Sequence, residues 1–268
     1  MKIGKKIFDT EHRVYIMGIL NVTPDSFSDG GRYLSMDSAL FHAQEMVDDG
    51  ADILDVGGES TRPGHVMISE EEEICRTAEV IENLKKNFDI PISIDTYKSR
   101  VAEVALAAGA DLVNDIWGLK YDKDMAKVIA ESRAACCLMH NRKEAVYSEL
   151  VADVCADLAE SVRLAEIAGI GKERIMLDPG IGFGKTYEMN LEMLRRLGEL
   201  KSMGYPILLG ASRKSVIGLT LDLVPEERLE GTLATTVVAV MNGCSFVRVH
   251  DVKENLRAVR MTEAILKS

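Results

Sequence analysis

Seven polar residues stand directly after short apolar runs, spread from residue 21 to residue 250: Asn21, Asp95, Asn114, Asp178, Lys214, and the pair Arg248 and His250. Acids and amides of this kind bind the polar edges of a ligand, while Lys214, Arg248 and His250 suit an anion. Arg248 and His250 are two apart on an extended run and therefore point to the same side. The formal net charge of the chain is −11, so an anionic substrate must be captured by such a local cluster against the overall field. A blander reading makes each Asp or Asn a turn former that ends a strand. That reading weakens when a polar residue follows nearly every run.

The runs themselves read as strands: Tyr15–Leu20, Ile53–Val56, Ile92–Ile94, Leu112–Val113, Ala134–Met139, Ile175–Leu177, Ile207–Leu209 and Phe246–Val249. Between them lie helical patterns such as Asp37–Asp49, Ser69–Phe88 and Lys98–Ala108. Ser69 with Glu72 forms a capping box, and the acids Glu70–Glu73 suit the positive end of a helix. Gly50, Gly109 and Gly169 stand where helices should stop. Gly50–Asp55 (GADILD) echoes Gly109–Asn114 (GADLVN), a weak repeat of one βα unit. Eight strands alternating with helices over 268 residues, with no Pro/Gly/Ser-rich linker, predict a single α/β domain spanning residues 1–268 and folded as a (β/α)₈ TIM barrel. In that architecture the C-terminal ends of all strands meet on one face, so the scattered polar residues converge.

Composition narrows the function classes. The chain is 47% hydrophobic with a mean hydropathy near zero, as expected of a soluble protein. Its acidity argues against nucleic-acid or membrane-surface partners. Five cysteines without C-x-x-C spacing predict neither a disulfide framework nor a zinc site, and suit a reducing compartment. The first residues do not read as a signal peptide, and no apolar stretch is long enough to span a membrane; the expected location is the cytoplasm. His12, His42 and His65 show no metal-ligand spacing. Two motifs are decoys: the G-K-T at 184–186 lacks the P-loop glycine, because position 179 is Pro179, and the glycines 180, 182 and 184 lack dinucleotide-fingerprint spacing.

Longer segments carry a resemblance. Met17–Gly31 (MGILNVTPDSFSDGG) and Gly50–Gly64 (GADILDVGGESTRPG) look like the two signature segments of dihydropteroate synthases. Ile92–Gly118, Ile175–Thr186, Ile207–Gly218 and Gly231–Asp251 continue the match in order. One departure is Met139-His140-Asn141-Arg142, where many members carry Met-x-Gly-x-Pro; it bears on the shape of that loop.

The resemblance implies an enzyme that condenses 6-hydroxymethyl-7,8-dihydropterin diphosphate with p-aminobenzoate in folate biosynthesis, through an SN1-like displacement, with Mg²⁺ as cofactor and a homodimeric assembly. It implies that Asp178 accepts the amino and ring N–H donors of the pterin, that Asp95 and Asn114 serve neighbouring ring nitrogens, and that Lys214 donates to the carbonyl and imine edge. Ile116, Met139 and Phe183 would wall the ring, although by themselves they read as ordinary barrel packing. Asn21 would offer its oxygen to Mg²⁺, which tolerates one protein ligand when substrate phosphates and waters supply the rest. Arg248, His250, Thr61 and Arg62 would hold the diphosphate. Phe27, Thr61, Arg62 and Pro63, on two loops that close over the reacting centre in the family, would line the p-aminobenzoate pocket. Ser215, opening a helix, would hold the carboxylate of that substrate. The catalytic set so implied is Asp95, Lys214, Arg248 and His250.

Three rivals are separable by residues. A pterin-binding methyltransferase working with a corrinoid protein would share Asp95, Asn114 and Asp178 but has no use for TPDSFSDGG or SRKS. A non-catalytic pterin-binding protein should have lost Thr61, Arg62, Arg248 or His250. A barrel aldolase would use Lys214 as a Schiff base.

Overall fold

The computed structural model describes residues 1–22, 31–59 and 67–268, without the side chains of 31–35. The chain opens on an antiparallel hairpin, β1 (Lys2–Ile3) and β2 (Lys6–Ile7). Strand and helix then alternate: β3 (Tyr15–Asn21), α1 (Gly31–Asp48), β4 (Ile53–Gly57), α2 (Glu70–Asn87), β5 (Ile92–Asp95), α3 (Ser99–Ala107), β6 (Leu112–Asp115), α4 (Met125–Ser132), β7 (Ala135–Met139) and α5 (Leu150–Ile167). The second half continues with β8 (Ile175–Asp178), α6 (Tyr187–Arg195), β9 (Leu208–Leu209), α7 (Ser215–Leu221), α8 (Leu229–Met241), β10 (Phe246–Val249) and α9 (Val252–Lys267). The sheet order is β8-β7-β6-β5-β4-β3-β10-β9, every pair parallel, and a parallel bridge between Leu177 and Ile207 joins its two ends. This is the expected (β/α)₈ barrel. No helix among the described residues is long and apolar enough to cross a membrane.

Two features of the sequence are directly visible as hydrogen bonds. Ser69 caps α2 by accepting from the Glu72 N–H, while the Glu72 carboxylate engages Arg76 one turn on. The Gly-Ala-Asp repeat is a repeated tie: Asp52 Oδ2 accepts from Ile16 N and Asp111 Oδ2 from Ile92 N, each at 2.9 Å. Gly50 and Gly109, at φ 98° and 113°, make the turns that bring those acids back to the start of the preceding strand.

Within each strand the side chains alternate between two packing environments. Ile16, Leu20, Leu54, Val56, Ile94, Val113, Leu138, Leu177, Leu209 and Val247 pack against the helices. Tyr15, Met17, Ile53, Leu112, Cys137, Met176, Leu208 and Phe246 fill the barrel, and Ile3 and Phe8 from the hairpin region join them. Phe246 stacks against both Phe8 and Tyr15, with ring centroids 5.6 Å apart in each pair. Truncating so enclosed an aromatic costs about 3–5 kcal/mol. The N-terminal hairpin was not expected from sequence; two-residue strands carry too little period to be recognised.

Strand ends differ from expectation by one or two residues, and the difference matters. Asn21, Asp95 and Asp178 are the last residues of their strands and Asn114 the last but one, rather than the first residues beyond. The ladders extend because neighbouring strands supply partners: Asn21 pairs with Gly57, Gly57 with Asp95, and Asp95 with Asn114. The polar set is thereby held by β-sheet geometry. α1 likewise begins at Gly31, ahead of the expected Asp37.

Candidate active site

Continuing the inward-facing positions toward the C-terminal rim, the apolar filling gives way to polar side chains: Asp55 follows Ile53, Asn114 follows Leu112, Asp178 follows Met176, and Arg248 follows Phe246. The wall is therefore apolar below and charged above, with strand period two dictating which residues meet.

Arg248 is the hub. Its Nε donates to Asp55 Oδ2 at 2.6 Å and its Nη2 to Asp95 Oδ2 at 2.7 Å. Burial alone would lower its pKa, but Asp55 and Asp95 outweigh that and hold the guanidinium firmly protonated. Asn114 Nδ2 also donates to Asp55 Oδ2, at 3.2 Å, which leaves the amide oxygen of Asn114 for another donor. Asp55 Oδ1, Ser93 Oγ and Asp95 Oδ1 are buried without a hydrogen-bond partner among the described residues. Burial pushes the Asp95 carboxyl up to about 7, with Arg248 opposing the rise and Asp55 adding to it. An orphaned carboxylate oxygen costs free energy in an apolar surrounding, so this one is poised for a ligand's N–H or positive charge.

Across the mouth, Asp178 Oδ1 accepts from the Gly180 N–H at 2.7 Å, and burial raises the pKa of Asp178 despite the opposing charge of Lys214. Lys214 Nζ donates to the Ile181 carbonyl at 2.6 Å and lies 4.7 Å from the centre of the Phe183 ring. Burial lowers its pKa to about 8, with Asp178 opposing the fall. Between them sits Gly210: a Cβ there would lie 3.4 Å from Asp178 Oδ2, 3.8 Å from Lys214 Nζ and 3.9 Å from Arg248 Cβ. Tyr97, Ile116 and Met139 form a small apolar cluster of their own with Trp117 and Phe183, separate from the barrel and helix cores. Ile116, Met139 and Phe183 are thus together at the site rather than part of the general packing.

The turn that delivers Lys214 is strained and well anchored. Arg213 has φ 56°, unfavourable for an L-residue other than glycine, and is held by Asp251 through Nε at 3.1 Å and by Thr232 Oγ1 at its N–H, also 3.1 Å. Ser212 Oγ accepts from the His250 N–H at 3.2 Å and meets His250 Nδ1 at 3.0 Å. The segments Ser212–Lys214 and Arg248–Asp251 are therefore joined side by side. Ser215 is the first residue of α7 and is exposed. Asn21 is exposed at the end of β3, its Oδ1 3.5 Å from where a Cβ on Gly57 would stand. Phe27, Thr61, Arg62 and Pro63 lie outside the described residues.

Reading the sequence singled out Asp95, Asn114, Asp178, Lys214, Arg248 and His250, and these converge. It passed over Asp55, Gly210, Ser212 and Arg213. Asp55 had a signal, since it occupies the place in the first Gly-Ala-Asp repeat that Asn114 occupies in the second. Gly210 had none, because its role depends on what surrounds it.

No group of three or more His, Cys, Asp or Glu among the described residues is placed to hold a metal. The oxygen of Asn21, open to solvent above a glycine floor, fits a hard cation only where substrate phosphates and water complete the shell.

Residues 17–250 match the family model described as pterin binding enzyme. The dihydropteroate synthase of Clostridium beijerinckii is 60% identical over 268 residues, covering all of both chains, and that of Bacillus subtilis is 54% identical over 96% of this chain and 90% of its own. Among solved structures, a dihydropteroate synthase from Clostridium difficile in the presence of pteroic acid superposes with a TM-score of 0.95 at 56% identity, covering 98% of this chain and 100% of that one. A Xanthomonas albilineans dihydropteroate synthase with 4-aminobenzoic acid gives 0.91 at 41% identity, covering 96% and 94%. By its motifs, its barrel and its relatives, this chain belongs to the dihydropteroate synthase family of pterin-binding enzymes.

Proposed function

We propose that this chain catalyses the family's reaction, joining 6-hydroxymethyl-7,8-dihydropterin diphosphate to p-aminobenzoate to give 7,8-dihydropteroate and diphosphate. The observation that carries the reading is the pairing, at one rim, of buried acceptors Asp95 and Asp178 with the half-buried donor Lys214, beside a guanidinium already committed to two carboxylates. A flat ring with N–H donors on one edge and a carbonyl with an imine nitrogen on the other matches that set.

In this reading Asp178, oriented by Gly180 N–H, accepts the amino and ring N–H pair. Lys214 donates to the opposite edge. Asn114, its Nδ2 turned to Asp55, offers Oδ1 to a ring N–H, and Ile116, Met139 and Phe183 wall the ring. The C–O bond between the pterin methylene and the diphosphate breaks ahead of attack, because the ring can delocalise the positive charge. Asp95 stabilises that charge as it develops. The neutral aniline nitrogen then forms the new C–N bond and releases its proton, so no strong base is required.

Arg248 and His250 receive the departing diphosphate. Ser212 can donate its hydroxyl proton to His250 Nδ1 while accepting from the His250 backbone N–H, which places the proton of the neutral ring on Nε2. Mg²⁺ bound at Asn21 would supply charge neutralisation for the diphosphate. Thr61 and Arg62 are assigned to the diphosphate, and Phe27, Thr61, Arg62, Pro63 and Ser215 to p-aminobenzoate, on the family pattern alone. We assign a homodimer on the same pattern; the exposed apolar side chains Leu219, Leu221 and Val224, on and just beyond α7, are compatible with it.

The test is direct: incubate the protein with the pterin diphosphate, p-aminobenzoate and Mg²⁺, and measure dihydropteroate and released diphosphate. Diphosphate release without a coupled product would refute the transferase assignment.

A further inference from the structure

Behind the pterin wall lies a second buried polar group that the reaction does not use. Lys185 Nζ donates to the carbonyls of Gly180 at 3.0 Å and Phe183 at 3.2 Å, and contacts His140 Nδ1 at 2.8 Å. An ammonium has three protons, and three acceptors surround this one. His140 is fully enclosed, and its other nitrogen meets Asp157 Oδ2 at 3.1 Å, which Arg142 Nε also engages at 2.6 Å. The arrangement is satisfied with the lysine cationic and the histidine neutral, its proton on Nε2 toward Asp157 and Nδ1 accepting from Lys185; the low basicity of the buried imidazole keeps the shared proton on the lysine.

That pattern locks the loop after β8 to the loop after β7. His140 N donates to the Asp178 carbonyl at 2.9 Å, Tyr147 OH donates to the Gly184 carbonyl at 2.7 Å, and a Cβ on Gly180 would meet the His140 carbonyl oxygen at 1.9 Å. The two segments thus touch backbone to backbone. The loop so held carries three groups assigned to the ring: Gly180 N–H, which orients Asp178; the Ile181 carbonyl, which holds Lys214; and Phe183. Other charges near the pair are Asp178, Lys214 and Lys120. Burial lowers Lys185 to about 7 and His140 to about 3, so the pair carries at most one extra proton near neutrality, on the lysine.

We infer that Lys185 is a positioning residue for pterin recognition, with neutral His140 as its acceptor: it touches no substrate, but clasps the loop from Gly180 to Phe183 so that Asp178, Lys214 and Phe183 present one preformed ring pocket. The inference rests on the pterin-binding reading above.

Lys185→Met keeps most of the length of the side chain and removes the three donors. Calorimetry on the folded variant should show pterin affinity reduced about ten- to hundredfold, the scale of one charge-assisted hydrogen bond. Affinity for Mg²⁺-diphosphate, held elsewhere by Arg248 and His250, should stay within about twofold. Pterin affinity unchanged in the variant, or equal losses for both ligands, would overturn the inference. Wild-type protein that binds no pterin would overturn the function and this inference together. An independent measurement needs no variant to fold: ¹⁵N NMR of wild-type His140 should show a neutral ring protonated at Nε2. A ring protonated at Nδ1, or at both nitrogens, would rule out Lys185 as the donor.

Discussion

Arg248 and Asp55, 193 residues apart in sequence, meet inside the barrel at 2.6 Å, and the same guanidinium reaches Asp95 at 2.7 Å. One cation therefore sets the position of two acids that belong to different strands. Asp55 is fully enclosed and Asp95 nearly so. A buried charge is tolerable only when paired, so removing one member strands the others.

Asp55→Ala should accordingly leave Arg248 with one carboxylate and cost about 3–5 kcal/mol of stability, the scale for breaking a buried pair. Chemical denaturation checks the stability, and calorimetry with Mg²⁺-diphosphate should show weaker binding as Arg248 loses its fixed orientation. A variant as stable as wild type would mean that the Asp55–Arg248 pair contributes nothing net to stability.

Asp95→Asn should lower kcat more than it weakens pterin binding, because the charge it opposes is largest in the transition state. The loss of a charge-assisted interaction is about 1.5–3 kcal/mol, or about 10–150-fold in rate. If only KM rose, the carboxylate would serve binding alone.

The pH profile of kcat/KM should be a narrow bell. Asp95 works as a carboxylate and burial pushes it up to about 7, so activity falls as pH drops below that value. Lys214 works as an ammonium and burial lowers it to about 8, so activity falls again as pH rises above that. kcat/KM reports the free enzyme, the state to which these values belong. Lys185, which burial lowers to about 7, must be cationic to clasp its loop and adds to the same limb, so Lys214→Met should reshape the alkaline limb rather than remove it; a wild-type profile flat from pH 6 to 9 would contradict these assignments.

Gly210→Ala should leave stability nearly unchanged, since the new methyl meets Asp178, Lys214 and Arg248 at no less than 3.4 Å. The methyl would nevertheless occupy space in the ring pocket. Pterin affinity should drop about tenfold or more, equivalent to about 1.4 kcal/mol, with the melting temperature within a few degrees. Unaltered affinity would move the ring away from Gly210.

The residues by themselves determined a good deal. Strand and helix alternate because apolar runs of two to six residues and longer amphipathic stretches alternate, and that repetition identified the barrel. The Ser69 cap and the Gly-Ala-Asp ties are local or near-local hydrogen bonds between residues whose types announce them. The polar residues ending the strands were legible for the same reason, since a barrel sends all strand ends to one face.

What the sequence could not decide is which of those residues touch. Asp55, Asp95, Asn114 and Arg248 share hydrogen bonds because sheet register sets Asp95 beside Asn114 and barrel closure brings the last strand back beside the first. Whether Ile116, Met139 and Phe183 were packing or pocket wall likewise turned on the third dimension, since an apolar side chain looks the same in either role. The protonation states followed as well: Lys185 and His140 acquire theirs from burial and from three converging acceptors, and neither burial nor convergence is a property of the chain before it folds.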